Sequence, residues 1–461
     1  MRLPRFLRVV CALTWLSAGS PAAAQTGVDA YIRETMRESG IPGLSIAVVK
    51  GGKVVKASGY GIANLETNTP ATPHTVYKTA SLSKQFIAAA IMLLVQEGKV
   101  RLDDKASGYL DGSPESWKDI TVRHLLTGTS GIVRDPKESD YEPYREQPVT
   151  DVIRAAYPIP LRFSPGEKWS YSNVGYYVLA EIINKASGKP WDEFIAERLF
   201  VPAGMKSTRL TTTTEIVPHR AAGYRNTSKG RVNAEDWIAP RPSGAFLSTV
   251  LDMAKWDAFL DSTRILTDSS KRLMWTRANL SSGAPTNYGF GWIIDSFLGR
   301  ARIHHDGQFP GFRSDYEKFP DDSLTVIVLA NSDNARVEWL ALKIAGFYAP
   351  TLTAPRFALR ADASTGRSTS GNPVPVRLTA KAEDKAAPET VFEIEIWDSS
   401  DKSVFKAAKS NENFAAGETK TYEFLWTPAQ PGKYQVNIAA FGPRYSPPYV
   451  IKPNATTITV H

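Results

Sequence analysis

Ten consecutive residues, Phe86-Ile87-Ala88-Ala89-Ala90-Ile91-Met92-Leu93-Leu94-Val95, carry no polar side chain, so a helix built from them has to be buried. The rest of the chain must wrap around it. At its mouth stands Ser81-Leu82-Ser83-Lys84. A spacing of three puts Ser81 and Lys84 one turn apart on one helix face, with an amine in hydrogen-bond reach of a hydroxyl. Desolvation by the apolar flank lowers a lysine's pKa and makes it a usable base. Ser81 at the helix start also gains free backbone N–H groups and the positive end of the helix dipole, both suited to a developing oxyanion. Alone, a Ser-x-x-Lys string is usually a solvated helix start. Its company decides what it means.

Residues 1–24 carry Arg2, Arg5 and Arg8, then Val9-Val10-Cys11-Ala12-Leu13, then Ala22-Ala23-Ala24, the pattern of a cleavable secretory signal. The apolar run is too short for a membrane span. A mature chain beginning near Gln25, secreted or periplasmic, is expected. Cys11 is the single cysteine, so no disulfide or thiolate chemistry is expected beyond the signal. The formal charge of +8 falls to +5 without the three signal arginines and is spread without basic blocks, which argues against a nucleic-acid partner.

Helical periodicity over 28–39 is followed by a hairpin, residues 44–49 and 53–58 around Gly51-Gly52, and then by the buried helix, which stops near Gly98. Residues 173–187 read as a second helix ended by Gly188. Residues 312–319 and 324–330 around Pro320-Asp321-Asp322 read as a second hairpin, and 337–348 as a closing helix. Strands at both ends with helices between them predict an α+β domain over 25–349: an antiparallel sheet shared by the two termini, with an inserted helical region. From 350 to 373 the composition turns to Pro, Thr, Ser, Gly and Asn, which reads as a linker. Short β-type runs at 376–380, 391–397, 421–426, 434–440 and 456–460 predict an immunoglobulin-like sandwich over 374–461. Its tryptophans are expected in the core rather than as glycan platforms.

Two more strings accompany the first: Tyr171-Ser172-Asn173 just before a helix, and His305-Asp306-Gly307 at the entry to a strand. In this order the three resemble the class C β-lactamase and D-alanyl-D-alanine carboxypeptidase superfamily of serine hydrolases, which includes carboxylesterases. Residues 120–127 with Thr129-Ser130-Gly131, Tyr288-Gly289-Phe290-Gly291-Trp292 and Leu329-Ala330-Asn331-Ser332 resemble it too. The resemblance spans residues 28–348 and implies a β-lactamase/transpeptidase-like fold.

It implies Ser81 as nucleophile, with Lys84 and Tyr171 as the base pair, and either can take the first proton. A lysine neighbour is expected to pull the Tyr171 phenol down from about 10. Asn173 is expected to bind a substrate carbonyl or to hold Lys84. His305 approaches from the sheet side at Gly307, and the Gln308 N–H completes an oxyanion hole with that of Ser81, as the family's geometry implies. No metal or cofactor is expected, and His304, on the opposite strand face from His305, reads as structural.

Penicillin-degrading relatives usually carry Lys-Thr-Gly where this chain has His305-Asp306-Gly307, so weaker recognition of anionic substrates is expected. Gly128 stands where relatives often have histidine. The expected substrate is an ester or a D-amino-acid amide or peptide. A β-lactamase is the alternative, and a slowly acylated penicillin-binding or cell-wall sensor, with the sandwich binding cell-wall glycan or peptide, is the third reading. Residues 132–149, with Tyr141 and Tyr144, are expected to form the selective wall of the pocket.

Overall fold

The computed structural model describes residues 21–136, 147–211, 214–227, 229–235, 241–244, 246–363, 369–400, 402–442 and 448–461. Helix α1 (Pro21–Ser39) leads into β1 (Gly43–Lys50) and β2 (Lys53–Asn64), with the short β3 (Thr69–Pro70) beyond. β4 (Tyr77–Lys78) runs into the apolar helix α2 (Ser83–Gln96), and α3 (Val122–Thr127), α4 (Val149–Ala156), α5 (Val174–Ser187), α6 (Trp191–Ile195) and α7 (Val201–Ala203) form the helical region. The chain returns through β5 (Arg209–Leu210), β6 (Tyr224–Thr227), β7 (Gly230–Asn233), β8 (Phe246–Ser248), α8 (Val250–Asp261) and α9 (Asp268–Met274). β9 (Ile293–Phe297), β10 (Arg300–Phe309), β11 (Phe312–Phe319), β12 (Leu324–Ala330) and α10 (Val337–Tyr348) then close the domain.

The large sheet has the order β3-β2-β1-β12-β11-β10-β9, and its paired strands are antiparallel. Gly51 and Gly52 both take positive φ, 57° and 72°, which gives the β1–β2 turn a twist that matches its strands. The expected sharing of one sheet by both ends is the β1–β12 pairing, from Leu44 opposite Ala330 to Lys50 opposite Leu324. Alternation along these strands feeds two cores. Leu44, Ile46 and Val48 of β1 pack with Val28 and Ile32 of α1 and with Leu340 and Ile344 of α10, while Ala47, Val49, Ile327 and Leu329 lie on the face covered by α8. Helices therefore cover both faces, and for that reason β12 is apolar at every position but Thr325.

Helix α2 is buried as its composition demands: every residue from Ser83 to Leu94 is buried. It stops where expected, with Gly98 at φ 71°. Phe86 anchors it, meeting Phe200, Phe246 and Trp256 edge-on at ring separations of 4.9, 5.5 and 5.0 Å. Residues 173–187 form the expected helix α5, entered at Asn173 and ended by Gly188 at φ 70°. α1 begins earlier than residue 28, at Pro21.

The C-terminal region is a sandwich of two sheets. β13 (Phe357–Ala363), β14 (Val374–Ala382) and β17 (Thr419–Trp426) form one; β16 (Ser403–Phe414), β15 (Ala387–Trp397), β18 (Gly432–Phe441) and β19 (Pro448–Val460) form the other. Val376, Leu378, Phe392, Ile394, Val436 and Ile438 meet between them in one core. Trp426 lies in that core as expected, 4.7 Å from the Tyr434 ring. The expected linker over 350–373 is corrected in part. Its residues Phe357, Leu359 and Ala361 alternate into the sandwich core, and β13 pairs with β14 along its length.

Phe86→Ala removes an aromatic anchor that is wholly buried, and we expect a loss of about 3–5 kcal/mol. Leu425→Ser, at a largely exposed position, should stay within about 0.5 kcal/mol. Denaturant unfolding midpoints of the two variants check this.

Candidate active site

Ser81 sits in the 3₁₀ turn Ala80–Leu82 that joins β4 to α2, and Lys84 lies in the first turn of α2. Lys84 is fully buried. Its Nζ donates to Ser81 Oγ at 3.3 Å, to Asn173 Oδ1 at 2.9 Å and to the Ser243 carbonyl at 2.8 Å. Three acceptors match the three N–H bonds of an ammonium. Loss of water outweighs them: burial brings the amine down to about 7, the Asp135 and Asp306 carboxylates oppose the fall, and the Arg134 guanidinium adds to it.

Tyr171 reaches the same place from the irregular stretch before α5. The Ser170 N–H donates to the Gly128 carbonyl at 2.8 Å, and the Ser172 hydroxyl donates to the Val133 carbonyl at 2.8 Å, which orients the stretch. Lys84 Nζ lies 4.7 Å from the centre of the Tyr171 ring, and the phenol hydrogen-bonds Ser81. The expected depression of this phenol is not found. Burial pushes its pKa up, and the Ser81 hydrogen bond only opposes that rise. The lysine stands over the ring, and at pH 7 it has itself shed about half its charge.

Asn173 holds Lys84 with its carbonyl oxygen, and its amide donates to Asp135 at 2.9 Å. Of the two expected roles, the geometry provides the second. His305 is buried on the site face of β10. Its Nδ1 lies 2.6 Å from the Asp306 carbonyl, which can only accept, so Nδ1 carries the proton and Nε2 accepts from the Tyr288 hydroxyl at 3.2 Å. Burial, above all, brings His305 down to about 4, so the imidazole is neutral at ordinary pH. His304 lies on the other sheet face, between Asp295 at 3.4 Å and Glu317 at 3.6 Å. Asp306 is on that face too, opposite Asp315 in the pairing.

Gly307 is where the sheet presses on the Ser81 turn. A Cβ there would lie 2.5 Å from the Thr79 carbonyl oxygen and 3.1 Å from Ala80 Cβ. The β10–β11 turn is the pair Pro310-Gly311, so Phe309 and Phe312 form its hydrogen-bonded closing pair, and the alternation of the ladder aims the Gln308 N–H away from β11. β9 pairs only with Arg300 through His304, so it does not cover β10 at Gln308.

Sequence reasoning missed the Ser243 carbonyl beside Lys84; Arg134 and Asp135 fall within the expected wall over 132–149 but were not singled out as neighbours of the lysine. A backbone acceptor leaves no signal in side-chain identity. Gly128 caps α3 at φ 69°, and a Cβ there would come within 3.0 Å of Trp169 Nε1. A histidine would therefore displace Trp169, which stands half-exposed near the site. Within the expected selective wall over 132–149, Ile132 is buried; Tyr141 and Tyr144 lie outside the described residues.

A serine and a desolvated lysine at the start of a buried helix, on a helix-covered antiparallel sheet, define a serine hydrolase. The chain belongs to the β-lactamase family, whose model matches residues 28–349. It is 29% identical to penicillin-binding protein 4* of Bacillus subtilis over 63% of this chain and 68% of that one. It is 28% identical to a D-aminopeptidase of Brucella anthropi over 73% of this chain and 65% of that one. It thus spans about two thirds of the length of these relatives. Among solved structures, an octameric penicillin-binding protein homologue from Pyrococcus abyssi shares the fold with a TM-score of 0.63, at 23% identity, over 91% of this chain and 99% of that one. A second family model, intracellular proteinase inhibitor, matches residues 390–444 in the sandwich.

Lys84 should lose its proton at about pH 7, measured by NMR of the ¹³C-methylated amine. Asp135→Asn should move that midpoint down and Arg134→Gln should move it up, because the first opposes the fall and the second assists it.

Proposed function

We propose that this is an exported hydrolase that forms an acyl-enzyme at Ser81 with a D-amino-acid amide, a short D-peptide or an ester. The single observation that carries the reading is the buried Lys84 amine, 3.3 Å from Ser81 Oγ, with its pKa lowered to about 7. At neutral pH a good share of such an amine is unprotonated and ready to accept the serine proton. Lys84 is therefore the base as Ser81 attacks the carbonyl carbon. Tyr171, a neutral phenol, relays a proton to the leaving amine or alkoxide. Asn173 keeps Lys84 in place, and the N–H groups of Ser81 and Gln308 receive the oxyanion. Water then attacks the acyl-enzyme with Lys84 again as base, and the acid leaves.

The neutral, buried His305 supports the choice of substrate. A β-lactam carboxylate gains little from an imidazole whose pKa is about 4, whereas a D-amino-acid amide or simple ester has no carboxylate to be read. The D-aminopeptidase relative points the same way. The pattern in residues 1–24 supports export. Among the described residues no helix is long and apolar enough to cross a membrane.

A panel of p-nitrophenyl esters, D-amino-acid p-nitroanilides and a chromogenic cephalosporin tests the reading. Esters or D-anilides should turn over much faster than the cephalosporin, and Ser81→Ala should cost about 10³-fold or more. The kcat/KM of the wild-type enzyme should rise with pH through about 7 as Lys84 becomes neutral. Efficient cephalosporin hydrolysis would instead favour a β-lactamase. A stable penicillin adduct in the mass spectrum, without turnover of any substrate, would favour the sensor.

A further inference from the structure

We propose that Ser314 is a positioning residue that sets the spacing between the two halves of the oxyanion site, the Ser81 turn and the Gln308 edge of β10. The inference rests on Ser81 being the nucleophile.

Ser314 lies on β11, fully buried, and its hydroxyl donates to the Thr79 carbonyl at 2.6 Å. That carbonyl also accepts the Leu82 N–H at 3.2 Å, the bond that closes the turn around Ser81. Ser314 therefore grips the turn at its own closing atom. In the ladder Ser314 stands opposite Gly307, the residue before Gln308. The hydroxyl reaches Thr79 through the space that a side chain at 307 would fill, since a Cβ there would come within 2.2 Å of Ser314 Oγ. One hydroxyl thus connects the turn that supplies the first oxyanion donor to the strand pair that supplies the second.

The turn needs such a hold. Ala80, between Thr79 and Ser81, has φ 49°, a conformation that a residue with a Cβ adopts only when its surroundings impose it. On the far side, the Thr79 N–H and hydroxyl donate to the Phe246 carbonyl at 2.9 and 2.8 Å. β8 and β11 therefore grip the turn from two directions. Ser314 holds it from the large sheet, which carries Gln308.

The test uses Ser314→Ala and the near-isosteric Ser314→Cys, whose thiol is a weak donor. Rates are normalised to active sites titrated with a fluorophosphonate. For the best substrate of the wild-type panel, kcat should fall about tenfold in Ser314→Ala, with KM within about twofold. Affinity for phenylboronic acid, which forms a tetrahedral adduct on serine, should weaken by a similar factor. Ser314→Cys should fall between the two and serves alone if Ser314→Ala does not fold. Unchanged kcat per titrated site and unchanged boronate affinity, with only a lower melting temperature, would overturn the proposal and leave a purely structural serine. Failure of the underlying reading looks different: Ser81→Ala would keep wild-type turnover.

Discussion

The pairing of β1 with β12, Leu44 opposite Ala330 through Lys50 opposite Leu324, is the constraint on which the rest depends. It joins strands from the two ends of the catalytic domain and places β11 and β10 in order beyond it. That order brings Gly307 against the turn carrying Ser81, although more than two hundred residues separate them. The seam is buried on both faces, and its two buried polar side chains pin its register: the Ser45 hydroxyl meets the Thr72 carbonyl and the Tyr77 hydroxyl, and the Thr325 hydroxyl donates to Asp257. The cost is that such strands need helices on both sides, and α8 on one face with α1 and α10 on the other supply them.

Burial then sets the chemistry. The same loss of water acts on a cation and on a phenol in opposite directions: it lowers Lys84 to about 7 and raises Tyr171. Both groups are thereby driven toward their neutral forms, one as a proton acceptor and the other as a donor. Neutral His305, bonded to Tyr288 and to its own neighbour's carbonyl, extends this uncharged lining. The charges acting on Lys84 come from Asp135, Arg134 and Asp306, and they pull its pKa in opposite directions: the two carboxylates raise it and the guanidinium lowers it. A site of this kind relies on placed hydrogen bonds rather than on net charge, which makes the geometry of the Ser81 turn so consequential.

Much of this was legible in the residues. The strands over 312–319 and 324–330, the helix over 337–348 and the glycine stops after α2 and α5 lie where periodicity puts them. Two strands of the sandwich escaped. β13 hides its alternation of Phe357, Leu359 and Ala361 beside a stretch rich in Pro, Thr and Ser. β16 is exposed along most of its length, so it has no apolar period to read. An edge strand of that kind is defined by its partner, here β15, and not by its own composition.

By itself the amino-acid order determined which groups could react: a serine and a lysine one helical turn apart, a tyrosine with an asparagine two residues on, and a His-x-Gly string at a strand. It determined as well that α2 must be buried, since ten apolar residues leave no wet face. Tertiary structure alone decided the protonation states and the holding contacts. A pKa depends on how much water and charge surround a group, and those neighbours, Ser243, Arg134, Asp135 and the sheet behind Gly307, are assembled from distant parts of the chain.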